Sequence, residues 1–466
     1  MSGMRDSKEF VEIFPTNAPS DGIYSRQNGT HILNFNLAST DAFVKGGSMR
    51  LCFKVKSKLG NGDDIVNVLG AGGVAKAFIN PRLGAYQFWE QLTIANREGM
   101  TIEEIRYYNR CMATLLPMLH SEGDIVSDLS NEDNSSGDFV WSQVQNSNQV
   151  YTDVSMRLYS GLLYNERRDI PLSATWGLRG LSLTLQLCSD SQVFFNLGRT
   201  GTPTTGASAN GGAQFEISDV SLQCEYVRPG AQRLLQLNSQ TSGLIEYNSF
   251  SSLYSVVNSA NHNFVSDLGS KNVVSCFGTF LPVIYNNSTN GDAFTDARMV
   301  QSATSGAFDG AQVDIEELSF TRDGVKFPQT YVVKENVGIS KNRQTPHSQV
   351  LRGFIDAVKP FRELLHSVNG IRTANLTIPG YGNGTGSDYT RNALSDKIYN
   401  GGSLYGIGVA YDAFGERGAD FRGRQFGLQI KSTLGKVGAE SPHALFLFFL
   451  NRETMAYSPS GIQVAM

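Results

Sequence analysis

The sequence predicts an all-β protein made of two similar domains, and three observations carry that expectation. Apolar and polar residues alternate with period two along several segments, Asn-Gly pairs punctuate the chain, and one strand-and-turn motif occurs twice.

The alternation marks strands with one face on a core and the other on solvent. In SMRLCFKVK the apolar set is Met49, Leu51, Phe53 and Val55. In GLSLTLQL it is Leu181, Leu183, Leu185 and Leu187, with Ser182, Thr184 and Gln186 on the opposite face. In FEISDVSLQCEYV the phase holds through Phe215 and Ile217, then moves by one to Val220, Leu222, Cys224 and Tyr226, which requires a β-bulge near Ser218 and Asp219. ALFLFFL, Ala444 to Leu450, is apolar on both faces and is expected to be a strand covered on both sides. Between such segments, Asn-Gly pairs begin at Asn28, Asn61, Asn210, Asn290, Asn369, Asn383 and Asn400, a dipeptide that readily takes the positive φ of tight turns.

Two segments read as helices. The first is expected to open with Thr101 and Glu104 as a capping box and to carry Ile105, Tyr108, Met112, Leu115 and Leu119 on one side. The second spans about Ser348 to Val368, with Leu351, Ile355, Val358, Phe361 and Leu365 as its stripe and a kink at Pro360.

One helix in each half suggests a duplication. EQLTIANREG, ending at Gly99, aligns with EELSFTRDG, ending at Gly324, with one gap, and the two glycines lie about half the chain apart. Each copy is an alternating strand that ends in a charged turn and precedes the helix of its half. The expected division is an N-terminal arm over 1–30, a first β-domain over 31–235 and a second over 236–466, joined within VRPGAQRLLQLNSQTS.

Composition agrees. At 466 residues the chain suits two all-β domains of roughly 200 to 250 residues each. Its 48 Gly, 27 Phe and 18 Tyr favour turns and aromatic packing, and 18% charged residues is too few for a charge-rich disordered protein. A net charge of -4 provides no general attraction to phosphate backbones, so direct nucleic-acid binding is not expected. The five cysteines, Cys52, Cys111, Cys188, Cys224 and Cys276, are odd in number and lack C-x-x-C spacing, so they read as buried small hydrophobes in a reducing compartment. MSGMRDSKEFVEIF lacks the apolar run of a signal peptide, and ALFLFFL is far shorter than the ~20 residues of a membrane helix. Synthesis in a host cytosol is the resulting expectation.

Several longer stretches resemble a known family. They are NREGMTIEEIRYYNRCMATLLPMLHSEGD, RLYSGLLYNERRDIPLSATWGLRGLSLTLQL and FEISDVSLQCEYVRPG in the first half. In the second half they are VVSCFGTFLPVIYNN, FTRDGVKFP, YGIGVAYDAFGERGADFRGRQFGLQIKS and YSPSGIQV. In this order they are similar to the double-jelly-roll major capsid proteins of the adenovirus-like DNA virus lineage, most of all those of polinton-like viruses and virophages.

The resemblance covers nearly the whole chain after the first ~30 residues. It implies two tandem eight-stranded jelly rolls, each with a helix in the loop between strands F and G. It also implies pseudo-hexameric homotrimers that tile an icosahedral virion shell, with neighbouring capsomers, penton and minor capsid proteins as partners and an internal membrane as a possible one. Three two-domain chains present six similar domains, which suits a near-hexagonal lattice. The family has no catalytic residues or cofactor to carry over, and none is expected here. The alternatives are a glycan-binding or glycan-cleaving β-sandwich, with an aromatic-lined cleft and convergent carboxylates, or a minor or vertex capsid protein.

Candidate chemistry is sparse. His120, Glu122 and Asp124 in LHSEGD could ligate a metal, but a histidine at a helix end beside solvated acids accounts for them more simply. Gly380 to Gly386 and Gly70 to Gly73 lack the G-K-[ST] of a phosphate loop and read as plain loops. Arg167 and Arg168, with Arg417, Arg422 and Arg424, suit either interface ion pairs or a solvated loop. The sequons at Asn28, Asn134, Asn286, Asn287, Asn375 and Asn383 read as turn residues. Asp63 and Asp64 are too ordinary a loop pair to nominate a glycosidase dyad.

Overall fold

The computed structural model describes residues 6–59, 77–79, 84–119, 152–164, 168–196, 213–240, 242–259, 261–282, 315–328, 332–334, 353–358, 406–411, 418–432, 443–458 and 461–465. In the first half the strands are β1 (Ser7–Ile13), β2 (Ile32–Leu37), β3 (Phe43–Val44), β4 (Arg50–Leu59), β5 (Ala77–Ile79), β6 (Trp89–Asn96), β7 (Thr101–Arg106), β8 (Thr152–Arg157), β9 (Ile170–Pro171), β10 (Leu181–Leu187), β11 (Phe194–Asn196) and β12 (Ala213–Arg228). The second half contains β13 (Gly243–Val257), β14 (Asn261–Asp267), β15 (Val273–Pro282), β16 (Ile315–Arg322), β17 (Val325–Lys326), β18 (Val332–Lys334), β19 (Gly406–Ala410), β20 (Gln425–Ser432), β21 (His443–Ser458) and β22 (Gly461–Ala465).

Both halves are antiparallel sandwiches with the same wiring. In the first, β1-β12-β4-β8 form one sheet and β2-β10-β6-β7 the other; in the second, β13-β21-β15-β19 face β14-β20-β16-β17. With each half's eight principal strands taken in chain order, both sheets read first-eighth-third-sixth and second-seventh-fourth-fifth. This is the jelly-roll order, so the principal strands are B to I in sequence. The first helix, α1 (Tyr108–Leu119), falls between F and G, and so do the helical residues 353–358 of the second roll.

The repeated motif is the E–F hairpin. Gly99 and Gly324 close it in the left-handed region, at φ +88 and +76, and a Cβ at either would meet nothing within 4 Å. Alanine at either position should therefore cost backbone strain alone, about 1 kcal/mol, which urea unfolding would measure.

The alternating segments bury their apolar sets. Leu183 lies between Phe35 and Ile94, and Leu185 between Leu33 and Leu92, all buried. Phe53 meets Trp89 edge-on at 5.5 Å across the first sandwich, as Phe426 meets Phe449 at 4.9 Å across the second. The bulge falls where the phase shift required it: the β12–β4 register breaks between Ser218 and Ser221, and Asp219 takes φ +50.

Two features differ from the sequence reading. Thr101 to Arg106 is not the first turn of a helix but strand β7, paired with β6, because the Gly99 turn folds it back along its partner. The Glu104 carboxylate accepts from Gln91 and Arg106 instead of capping a helix, and Tyr107, at φ +58, turns the chain into α1. The joining segment, read without a helix, contains one at Ala231–Asn238 with no buried residue. Of the second expected helix, 353–358 are helical, while its remaining length and Pro360 lie outside the described residues. Within the span expected as an arm, β1 is hydrogen-bonded along β12 from Ser7 opposite Arg228 to Ile13 opposite Leu222.

Candidate functional site

The two rolls share a core. The buried residues of the first roll are continuous with Tyr247, Phe250, Val274, Phe277, Phe446, Phe448 and Leu450 of the second. The second roll's own core is a separate cluster that includes Phe449, Leu445 and Leu447. Thus the sheet β13-β21-β15-β19 is covered on both faces. ALFLFFL alternates between the seam, through Phe446, Phe448 and Leu450, and its own sandwich, through Leu445, Leu447 and Phe449.

At the middle of this seam sits a carboxylate. Glu103 on β7 is 2% exposed. Its Oε1 accepts N–H bonds from Gly161 of the first roll (2.9 Å) and Phe250 of the second (2.7 Å), and its Oε2 accepts from Leu162 (3.1 Å). One side chain therefore joins the backbones of both rolls. Burial pushes its pKa up to about 7, against the opposing pull of those three N–H groups and the Ser160 hydroxyl. The rolls touch closely here: a Cβ on Gly161 would stand 2.5 Å from the Asn248 carbonyl oxygen of β13.

α1 supplies the second contact. The Tyr107 ring packs on Phe446 at 5.0 Å and Tyr254 at 5.7 Å, and Arg110, itself buried, lies 5.8 Å over the Phe446 ring. Tyr108 locks the helix to the segment that follows β8 by donating its hydroxyl to the Tyr159 carbonyl (2.9 Å) while accepting from the Tyr159 N–H (3.1 Å). At the rim, Arg168 donates to the Glu246 carbonyl at 2.6 Å and meets its carboxylate at 3.3 Å. Arg179 bridges Glu98 at 2.7 Å and the Ser458 carbonyl at 3.0 Å. The pair Arg168–Glu246 is half exposed on both sides, so Arg168→Ala should shift the unfolding free energy by no more than about 1 kcal/mol.

A cleft of about 260 Å³ opens along the seam, lined by Thr101 to Glu104, Arg106, Ser249 to Ser252, Asn451 and Glu453. Among the described lining residues the one aromatic, Phe250, is buried rather than presented as a stacking platform.

The other sequence candidates are scattered. Arg422 pairs with Asp420 at 2.9 Å, holding that carboxyl down near 2, and Arg424 pairs with Asp323 at 3.2 Å. Asn28 is exposed in a turn closed by Gly29 at φ +73. Cys111, Cys188, Cys224 and Cys276 are buried free thiols and Cys52 is partly buried; burial pushes Cys188 and Cys224 up to about 12, so both stay protonated near neutrality. His120, Glu122, Asp124, Gly70 to Gly73, Gly380 to Gly386, Asp63, Asp64, Arg167, Arg417 and the other sequons lie outside the described residues. Among the described residues no group of three His, Cys, Asp or Glu is placed to hold a metal, and no helix is long and apolar enough to cross a membrane.

Sequence reasoning missed Glu103. TIEEIR read as a helix start gives a solvent-facing glutamate, and only pairing with β6 turns it toward the second roll. Arg168 was found, through its cluster.

No protein-family model and no curated protein matches the sequence. Solved structures do match in fold. PBCV-1 VP54, fitted into a reconstruction of the virophage Sputnik, superimposes with TM-score 0.55 at 9% identity, covering 99% of this chain and 97% of that one. A chain of the Sputnik virophage particle follows at 0.54 and 10%, covering 100% and 89%. The Faustovirus major capsid protein follows at 0.51 and 9%, covering 98% and 91%. With nearly its whole length superimposed on them, the chain has the double-jelly-roll fold of these virus capsid structures.

Proposed function

We propose that this chain is a viral major capsid protein that forms pseudo-hexameric homotrimers and tiles an icosahedral shell. The observation that carries the reading is the doubling itself: two rolls of one topology, held in a fixed relation by a shared core. A trimer of such chains offers six similar corners, the symmetry a near-hexagonal tile requires. The likeness to the PBCV-1, Sputnik and Faustovirus structures points the same way.

On this reading the two building units are a first roll that begins with β1 inside 1–30 and runs to about residue 235, and a second roll over 236–466. The chain acts structurally, without catalysis or a cofactor. Its partners are further copies of itself, penton and minor capsid proteins and, where present, an internal membrane; it resides in the virion after synthesis in the host cytosol. Its net charge of -4 makes genome binding a poor candidate for its role.

Native mass spectrometry with negative-stain imaging tests the proposal. A trimer of hexagonal outline is the expected result, and a monomer at every concentration would overturn it. Copy number in purified particles separates a shell protein, which dominates the stained gel, from a vertex or minor component.

A further inference from the structure

We infer that Glu103 is a proton-linked joint between the two rolls, so that the seam tightens as the medium turns mildly acid and loosens as it turns alkaline. The inference concerns the bond between the rolls within one chain, and it stands whether or not the protein builds a shell.

The geometry is that of a joint. A single buried carboxyl takes one N–H from β13 and two from the turn at 161–162, so separating the rolls necessarily takes Phe250 off Glu103 and lets water reach it along the adjoining cleft. A carboxyl in the closed seam is desolvated; in an opened seam it is hydrated. Closing the seam therefore takes up a proton wherever the pH lies between the ordinary carboxyl value and that of the buried group.

The buried value is about 7, and the ordinary one is 4.5. Because the closed-state pKa is the higher, the stabilisation is fully present below the ordinary value and is lost as the pH rises through about 7. Between pH 8 and pH 6 the open-to-closed ratio should fall about tenfold.

The neighbours that face Glu103 do not mimic this. On α1, burial raises the Tyr108 hydroxyl and the Cys111 thiol well above their ordinary values, and on β13 it raises Tyr247 as well, so all three stay neutral through this window. The turn contributes only the Ser160 hydroxyl. Glu104 and Arg106, beside Glu103 on β7, line the cleft and bind each other at 2.9 Å. On β21, Glu453 also lines the cleft and is raised by burial, with Ser249 and Tyr247 donating to it. A slope from Glu453 is separated by the test.

Hydrogen exchange of the full chain, corrected for the intrinsic pH dependence of amide exchange, measures seam opening directly. Protection at Phe250, whose N–H crosses the seam to Glu103, should rise about tenfold from pH 8 to pH 6. Amides inside the second roll, such as Leu428 and Val409, should not show that rise. Glu103→Gln, which keeps the shape without a titrating proton, should flatten the seam response, whereas Glu453→Gln should retain it. A wild-type Phe250 amide that follows Leu428 across this pH range, or a response that survives Glu103→Gln, would overturn the inference. The wild-type comparison is decisive even if Glu103→Gln fails to fold. Since exchange needs no assembly, a monomer that shows the seam response would sink the shell reading and leave this one standing.

Discussion

Gly161→Ala is expected to push the two rolls apart and lower the unfolding free energy by about 3 kcal/mol, at the upper end of the range for overpacked sites. The added Cβ would meet the Asn248 carbonyl oxygen at 2.5 Å, its carbon at 2.6 Å and the Ser249 nitrogen at 2.7 Å. All three are backbone atoms of β13, which is paired with β21 along its full length, so they cannot turn aside as a flexible side chain would. Relief must come from moving one roll against the other, and that also stretches the N–H bond that Phe250 makes to Glu103. The matched control is Gly269→Ala, where φ is +67 and a Cβ meets nothing within 4 Å, so only backbone strain of about 1 kcal/mol is added. Urea unfolding compares stability, and native mass spectrometry compares trimer yield. Equal losses in the two variants would mean that the close approach at the seam contributes nothing.

Phe448→Ala should cost about 3 to 5 kcal/mol, as large aromatic-to-alanine changes in a packed core do. Phe448 is fully buried on the seam side of β21, 5.6 Å from the Phe277 ring. Its neighbour Phe449, equally buried, points into the second sandwich against Phe426. Both truncations should lower the urea midpoint by similar amounts, yet they remove different contacts. Losing Phe448 opens a cavity between the rolls and should raise exchange at the Phe250 amide. Losing Phe449 should leave that amide protected until the second roll itself unfolds. Identical exchange profiles for the two variants would contradict the assignment of alternate ALFLFFL residues to two separate cores.

Much of this architecture was legible in the residues because strand signals are local. Leu181 to Leu187 alternate in the sequence and alternate in burial, and the one-residue phase slip at Ser218 and Asp219 is a bulge in the fold. The repeated turn at Gly99 and Gly324 marked the same hairpin of the same roll twice. The error at Thr101 was local too. TIEEIR has a good capping pattern and good helix formers, and nothing within it records that the preceding glycine returns it onto β6. That misreading hid Glu103, because a glutamate on a presumed helix start belongs in water. The linker helix was overlooked for a related reason: with no buried residue, it lacks the apolar stripe facing a core by which helices are read.

By itself the sequence determined that the chain folds as two β-sandwiches of the same kind, since period-two burial, turn chemistry and an internal repeat are written residue by residue. Only the tertiary structure decided how the sandwiches are held to one another. That bond depends on which face of β7 looks across to β13, on a glycine close enough for backbones to touch, and on a carboxyl whose donors, the adjacent residues 161 and 162 and the distant residue 250, all lie far from it in the chain. Such contacts are set by the packing of whole sheets, and no short stretch of sequence contains both sides of them.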